Sequence, residues 1–207
     1  MADSALRQAK VREQAIVRGE YQGPLDGIPV GVKDNITMAG VSCTAGSLVF
    51  RDFVPEEDAF AVQQLKAAGA VIIGKENMHE LAAGGTSDNP HYGTVRNPWN
   101  LDHIPAGSSG GAGANVAACV TFASLGTDIG GSVRTPAAYC GVVGLKPTFG
   151  RVSQRGMIAT TFHGDHIGPL TRTVADSALV LQVLAAYDAL DPSSVPIAAR
   201  DYSRLLP

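Results

Sequence analysis

"PEEDAFAVQQLKAAGAVIIG", residues 55–74, decides the fold class. Ala61, Leu65 and Ala68 fall on one face at helical spacing, and the carboxylates ahead of them favour a helix start. Gly69 stops the helix, and "AVIIG" follows as a short strand with no polar side chain. A strand without alternation is buried on both faces, so helices must cover it from both sides. Helix, glycine and apolar strand in succession predict an α/β layer fold.

The same grammar extends in both directions. Upstream, residues 3–18 read as a helix stopped by Gly19, and "LDGIPVGVKDN" holds a strand over Ile28 to Lys33. Downstream, a Gly/Asn/Pro/Ser-rich loop spans residues 84–107, and small residues in "AGSSGGAGANVAACV" open a helix. "TFASLGTD" (121–128) is the next buried strand, and "GGSVRTPAAYCG" turns off its end. "TVADSALVLQVLAAY" (173–187) carries a capping box, Thr173 with Asp176, on a helix that is apolar almost all round. One domain over residues 1–190 is expected, with 191–207 a linker or the start of a further part.

Composition sets the boundaries. The chain has 207 residues, 45% apolar and 17% charged, with a net charge of −3. It is long enough to bury a core, and it lacks the basic stripe of a nucleic-acid surface. Three widely spaced cysteines, Cys43, Cys119 and Cys140, fit neither a disulfide framework nor a paired-thiol zinc site. No apolar run approaches the roughly 20 residues that span a bilayer, and the N-terminus has no signal-peptide core. A cytoplasmic location without membrane attachment is the expectation.

Three features carry chemistry. Lys33 ends an apolar strand, Ser108 and Ser109 sit in "GSSGG" at a helix start, and Ser132 sits in "GGS" after a strand. Each has a plain alternative: a solvated strand end, a helix cap and a turn. Together they make a nucleophile system. A lysine whose pKa burial lowers from ~10.4 toward neutrality accepts a proton from a serine, directly or through a second hydroxyl. Consecutive backbone N–H groups in "IGGS" can meanwhile converge on one developing oxyanion, because glycines permit the crowding.

"GIPVGVKDN", "GTVRNPWN", "AGSSGGAGA", "GTDIGGSVRTPAAYCGVVGLKPTFGRVS" and "DHIGPLTRTVAD" resemble, in order and spacing, the amidase signature family. The resemblance runs from about residue 23 to 187. It implies an α/β fold with a mixed β-sheet core flanked by helices, and a Ser–Ser–Lys triad: Ser132 as nucleophile, Ser108 as the relay following a cis peptide, and Lys33 as base. The N–H groups of Ile129, Gly130, Gly131 and Ser132 would form the oxyanion hole, with Ser109 in support. The implied reaction is hydrolysis of a carboxylic amide through an acyl-enzyme, without metal or organic cofactor and with a small-molecule amide as partner. Family members are typically more than twice as long, which implies an incomplete fold and a partly uncovered helix near residue 180. Ala106 and Ala112 stand where the family more often has glycine and a polar residue. Oligomeric state stays open. So do two other functions: an A-type component of an aminoacyl-tRNA amidotransferase, and a non-catalytic module.

Other motifs read as structure. "GAVIIGKE" imitates a phosphate loop but lacks the Ser/Thr after Lys75 and is a strand. "GSSGG" satisfies G-x-S-x-G around Ser109, but no buried strand precedes it, so the hydrolase elbow context is missing. His163 and His166 in "HGDH" are expected in a loop or pocket wall rather than on a metal. Cys140 reads as a small buried hydrophobe, and Asp128 and Arg134 as braces of the turn around Ser132.

Overall fold

The computed structural model describes residues 1–161, 163–198 and 200–205. Its elements are α1 (Ala2–Val17), β1 (Pro29–Lys33), α2 (Phe60–Ala67), β2 (Val71–Glu76), β3 (Asp88–Asn89), β4 (Gly93–Thr94), α3 (Gly110–Ala117), β5 (Ala123–Asp128), α4 (Arg134–Cys140), β6 (Val143–Gly144), β7 (His166–Thr171) and α5 (Val174–Leu184). Five strands form one mixed sheet in the order β2-β1-β5-β7-β6. β1 runs parallel to both β2 and β5, whereas β7 is antiparallel to β5 and β6. β3 and β4 make a separate small hairpin inside the long loop.

The strand pleat divides the core. Val30 and Val32 point to one face, where they join Leu65 of α2, Leu125, Ile167 and Leu184 of α5 in the main apolar cluster, all fully buried. On the opposite face Ala112 and Val116 of α3 pack with Val133, Ala137 of α4 and Leu170. β1, an inner strand between β2 and β5, sends Gly31 and Lys33 to that second face. There a Cβ on Gly31 would overlap Glu76 Oε1, so only glycine leaves room for that carboxyl.

Several local expectations change. The acidic run before α2 lies outside the helix, which starts at Phe60 with no acid in its first turn. Asp58 instead accepts from the Ala39 N–H and from Lys66. β2 runs to Glu76, in agreement with the reading of "GAVIIGKE" as a strand, and its Lys75 pairs with Asp34 at 3.1 Å. The segment after Ser132 is a helix, α4. Its Pro136 sits in the first turn, where a missing N–H costs no bond, and Gly141 caps it in the left-handed region at φ 68°. His166–Thr171 is a fully buried strand, so His166 belongs to the sheet and not to a loop.

α5 begins as its capping box requires: Thr173 Oγ1 accepts from the Asp176 N–H at 3.1 Å. It is better covered than expected. Ala178, Val180 and Leu184 are buried, and the 3-10 turn at Tyr202–Leu205 packs back on the helix. Arg151 fastens this return by donating to Ile197 O, Ala198 O and the Tyr202 hydroxyl. No helix among the described residues is long and apolar enough to cross a membrane.

Candidate active site

The parallel strands β1 and β5 end side by side, a position where open α/β sheets commonly place ligands. Lys33 is the last residue of β1 and is fully buried. Its Nζ donates to Ser108 Oγ at 2.7 Å and to Thr127 Oγ1 at 2.7 Å, with Thr127 O at 3.5 Å. These neutral partners replace water poorly. Burial pushes the Lys33 pKa down from 10.5 to about 7, against the opposing pull of Asp165 and Asp128. The amine is therefore poised to lose and regain a proton near neutrality.

Ser108 follows a cis peptide from Gly107, as the sequence resemblance implies. Its carbonyl is held by the His79 N–H at 3.1 Å and the Ser87 hydroxyl at 3.3 Å, and Ser87 Oγ also accepts from the Gly110 N–H at 3.0 Å. Ser109, the N-cap of α3, is locked elsewhere. Its hydroxyl donates to Thr127 O at 3.3 Å and accepts from the Thr127 N–H at 3.2 Å. That double engagement makes it a link between α3 and β5, in keeping with a supporting place. The Ser109 N–H donates to Ser132 O at 3.2 Å, which brings the turn after β5 against the start of α3.

Ser132 is half-buried, and its hydroxyl has no hydrogen-bond partner among the described residues. The turn that carries it is tied by Asp128, fully buried at the end of β5. Oδ1 accepts from the Gly131 N–H at 2.9 Å, Oδ2 accepts from the Val133 N–H at 3.0 Å, and Arg134 spans both oxygens at 2.9 and 3.0 Å. Burial alone would raise the Asp128 pKa, but Arg134 and the backbone amides outweigh it and hold the carboxylate below its usual range. Asp128 and Arg134 thus brace the turn. Of the four expected oxyanion donors, the Gly131 N–H donates to Asp128 in this structure. The N–H groups of Ile129, Gly130 and Ser132 have no partner among the described residues, and Ile129 and Gly130 are exposed.

Sequence reasoning missed Thr127, Asn35 and Ser87. Thr127 stands in "LGTD" at the end of β5, and its hydroxyl accepts from both Lys33 and Asn35 Nδ2, the latter at 3.1 Å. Asn35 follows Lys33 by two residues, a spacing that could have flagged it. Ser87, fully buried at φ 56°, lies in a polar loop without any pattern to mark it. Of the two histidines in "HGDH", His163 lines a cavity of ≈ 520 Å³ with Phe149, Met157 and Leu190. His166 is turned to Lys146 and to Gly164 O. Cys140 is fully buried, and burial pushes its thiol up to about 11.

Comparison with known proteins agrees with this architecture. The chain is 48% identical over 205 residues to the A component of the glutamyl-tRNA(Gln) amidotransferase of Moorella thermoacetica, covering 99% of this chain and 42% of that protein. It superposes with a TM-score of 0.95 at 42% identity on a chain of a vestigial protein complex linked to the origins of an s-triazine catabolic enzyme, covering 98% of this chain and 45% of the other. Peptide amidase from Stenotrophomonas maltophilia matches with a TM-score of 0.91 and 42% identity, over 97% of this chain and 43% of its own. The chain thus spans about two-fifths of the length of these relatives. With the amidase family matched over residues 1–206, and with the sheet shared by its solved structures, the chain belongs to the amidase family.

Proposed function

We propose that the chain carries the acyl-transfer centre of an amidase. The reaction is hydrolysis of a carboxylic amide to an acid and an amine or ammonia. One observation carries this: a fully buried lysine, its pKa brought to about 7, donates at 2.7 Å to the hydroxyl of Ser108. A solvated strand end would have neither the burial nor the partner.

In the proposed sequence, neutral Lys33 takes the proton of Ser108 while Ser108 takes that of Ser132. Ser132 Oγ bonds to the amide carbon, and the carbonyl oxygen becomes an oxyanion facing the N–H groups of Ile129, Gly130 and Ser132. The relay then runs backward, protonates the departing nitrogen and leaves an ester on Ser132. Water attacks that ester with its proton drawn into the same relay, which releases the acid and restores the three side chains. Each step conserves protons within the triad. No step draws on a metal or organic cofactor.

A second reading is favoured by the 48% identity to the A component of a glutamyl-tRNA(Gln) amidotransferase. There the same amide cleavage would supply nitrogen to an aminoacyl-tRNA with the help of partner chains. The net charge of −3 lends no support to direct tRNA binding by this chain alone.

The test is intact-protein mass spectrometry after exposure to a fluorophosphonate, with peptide mapping. A single adduct on Ser132 is expected. Adduct on Ser109, or none on the folded protein, would overturn the proposal. Turnover of simple amides without ATP or partner chains would separate the hydrolase from the transferase component.

A further inference from the structure

The stretches Ile158–Thr161 and His163–Asp165 lie beside the Ser132 turn and touch the site twice. Ile158 O accepts from Asn35 Nδ2 at 3.1 Å, the same amide that reaches Thr127 Oγ1. Gly164 backs the side chain of Ile129, since a Cβ at Gly164 would sit 3.2 Å from Ile129 Cδ1. Asp165 closes the near end by accepting from the N–H groups of Thr160 and Thr161 at 2.7 and 2.9 Å.

His166 closes the other end. It is 6% exposed and opens β7 directly opposite Asp128, the residue before Ile129. Its Nδ1 lies 2.6 Å from Gly164 O, its Nε2 lies 3.1 Å from Lys146 Nζ, and its ring meets Phe149 edge-on at 5.5 Å. A lysine ammonium only donates and a carbonyl only accepts. The network therefore assigns the neutral imidazole with its proton on Nδ1, donating to Gly164 and accepting from Lys146.

We infer that His166 is a positioning residue that, while neutral, braces Gly164 behind Ile129 and so fixes the exposed amides of Ile129 and Gly130, and that its protonation releases them. The inference rests on the proposed oxyanion role of those two amides. The charged groups around the ring are Lys146 from the segment after β6, Asp128 from β5, already paired with Arg134, and the neighbouring Asp165, turned to Thr160 and Thr161. Both Asp128 oxygens are already engaged, Asp165 is held through Oδ2, and among the described residues no carboxylate pairs with the ring. A protonated Nε2 would become a donor facing an ammonium, so either the ring or Lys146 must move. Burial, then the charge of Lys146, hold the His166 pKa below 6.5, although Gly164 and Asp128 pull the other way. Release therefore falls on the acid side of the ordinary imidazole range.

The experiment is a backbone and histidine-ring NMR titration of the whole chain across about pH 8 to 5, the window in which histidine changes charge. The Ile129 and Gly130 amides should inflect at the midpoint of the His166 ring, and Lys33→Met should leave that inflection in place. His166→Gln, which keeps one donor and one acceptor but does not titrate, should abolish it. If neither amide follows the ring, the inference falls; the wild-type titration decides this even if His166→Gln does not fold. Fluorophosphonate labelling of Ser132 adds a kinetic reading. Its acid limb should steepen from roughly tenfold to roughly a hundredfold per pH unit in the wild type and stay tenfold in His166→Gln. Amides that follow the ring without any adduct on Ser132 would uphold the brace and overturn the nucleophile assignment. An adduct without that coupling would do the reverse.

Discussion

Lys33 suits the proposed role of base because its surroundings are poor at holding a proton: two hydroxyls, one distant carbonyl and no carboxylate in contact. A base with pKa about 7 is half-neutral where most substrates are met, so labelling of Ser132 should rise through about pH 7 as Lys33 loses its proton. Ser132→Ala should abolish labelling, and Lys33→Met should slow it by roughly 10²–10⁴-fold, the usual range for a lost general base. Ser108→Ala should be strongly impaired, while Ser109→Ala should keep more activity because its hydroxyl links two backbones. A fully active Lys33→Met would end the triad assignment. The Lys33–Ser108 pair and the turn that carries Ser132 were legible as candidates because glycine clusters and a strand-ending cation are written in consecutive letters. Thr127 and Ser87 were not, since a threonine in a buried strand and a serine in a polar loop look like their neighbours until folding brings them to Lys33 and Ser108. At Gly131 the fold adds a partner that the letters do not carry. Four consecutive amides suggested four donors, and only the folded turn shows one of them spent on Asp128.

At the level of elements, the regular pieces announced themselves and the irregular ones did not. α1, β1, β5 and α5 follow from apolar periodicity, Gly19 and the Thr173–Asp176 box. β7 was hidden by Gly168–Pro169, a pair that normally argues against an inner strand. The sheet tolerates Pro169 opposite Leu125, and its carbonyl still accepts from the Leu145 N–H at 3.0 Å. α4 was hidden because Pro136 and two flanking glycine sites spell a turn, although proline suits a first helical turn. Between elements, the tightest fit is Gly31 of β1 over Glu76 of β2. Gly31→Ala should destabilise by about 1–3 kcal/mol, the usual cost of overpacking, measured as a lower midpoint in urea. Since Glu76 Oε1 is the clashing atom, Glu76→Ala should largely rescue it. Simple additivity of the two substitutions would refute the contact as the cause.

For the molecule as a whole, Lys33 and Glu76 sit opposite each other on paired strands, and both are buried with pKa values near neutrality. Burial lifts Glu76 from 4.5 to about 7, even though Ser124 and Asn115 donate to Oε1 and pull the other way. Oε2 has no partner among the described residues. The signs of the two contributions are opposite. A raised carboxyl contributes stability that is full below 4.5 and is lost as pH rises through about 7. A lowered lysine imposes a penalty that is full below about 7 and disappears toward 10.5. Their sum is least favourable near neutral pH, so Tm plotted against pH should show a trough there. Glu76→Gln should remove the falling limb and Lys33→Met the rising one; a flat wild-type profile would contradict both burials. Each limb amounts to several kcal/mol, within the range that separates folded from unfolded domains. The two arms belong to the fold, whatever substrate the chain takes. They also make unfolding a proton exchange with the solvent. Above neutrality the opened chain takes up a proton at Lys33, and on the acid side it gives one up from Glu76. The heat of unfolding should consequently depend on the buffer that supplies or receives that proton, with opposite sign on the two sides of the trough.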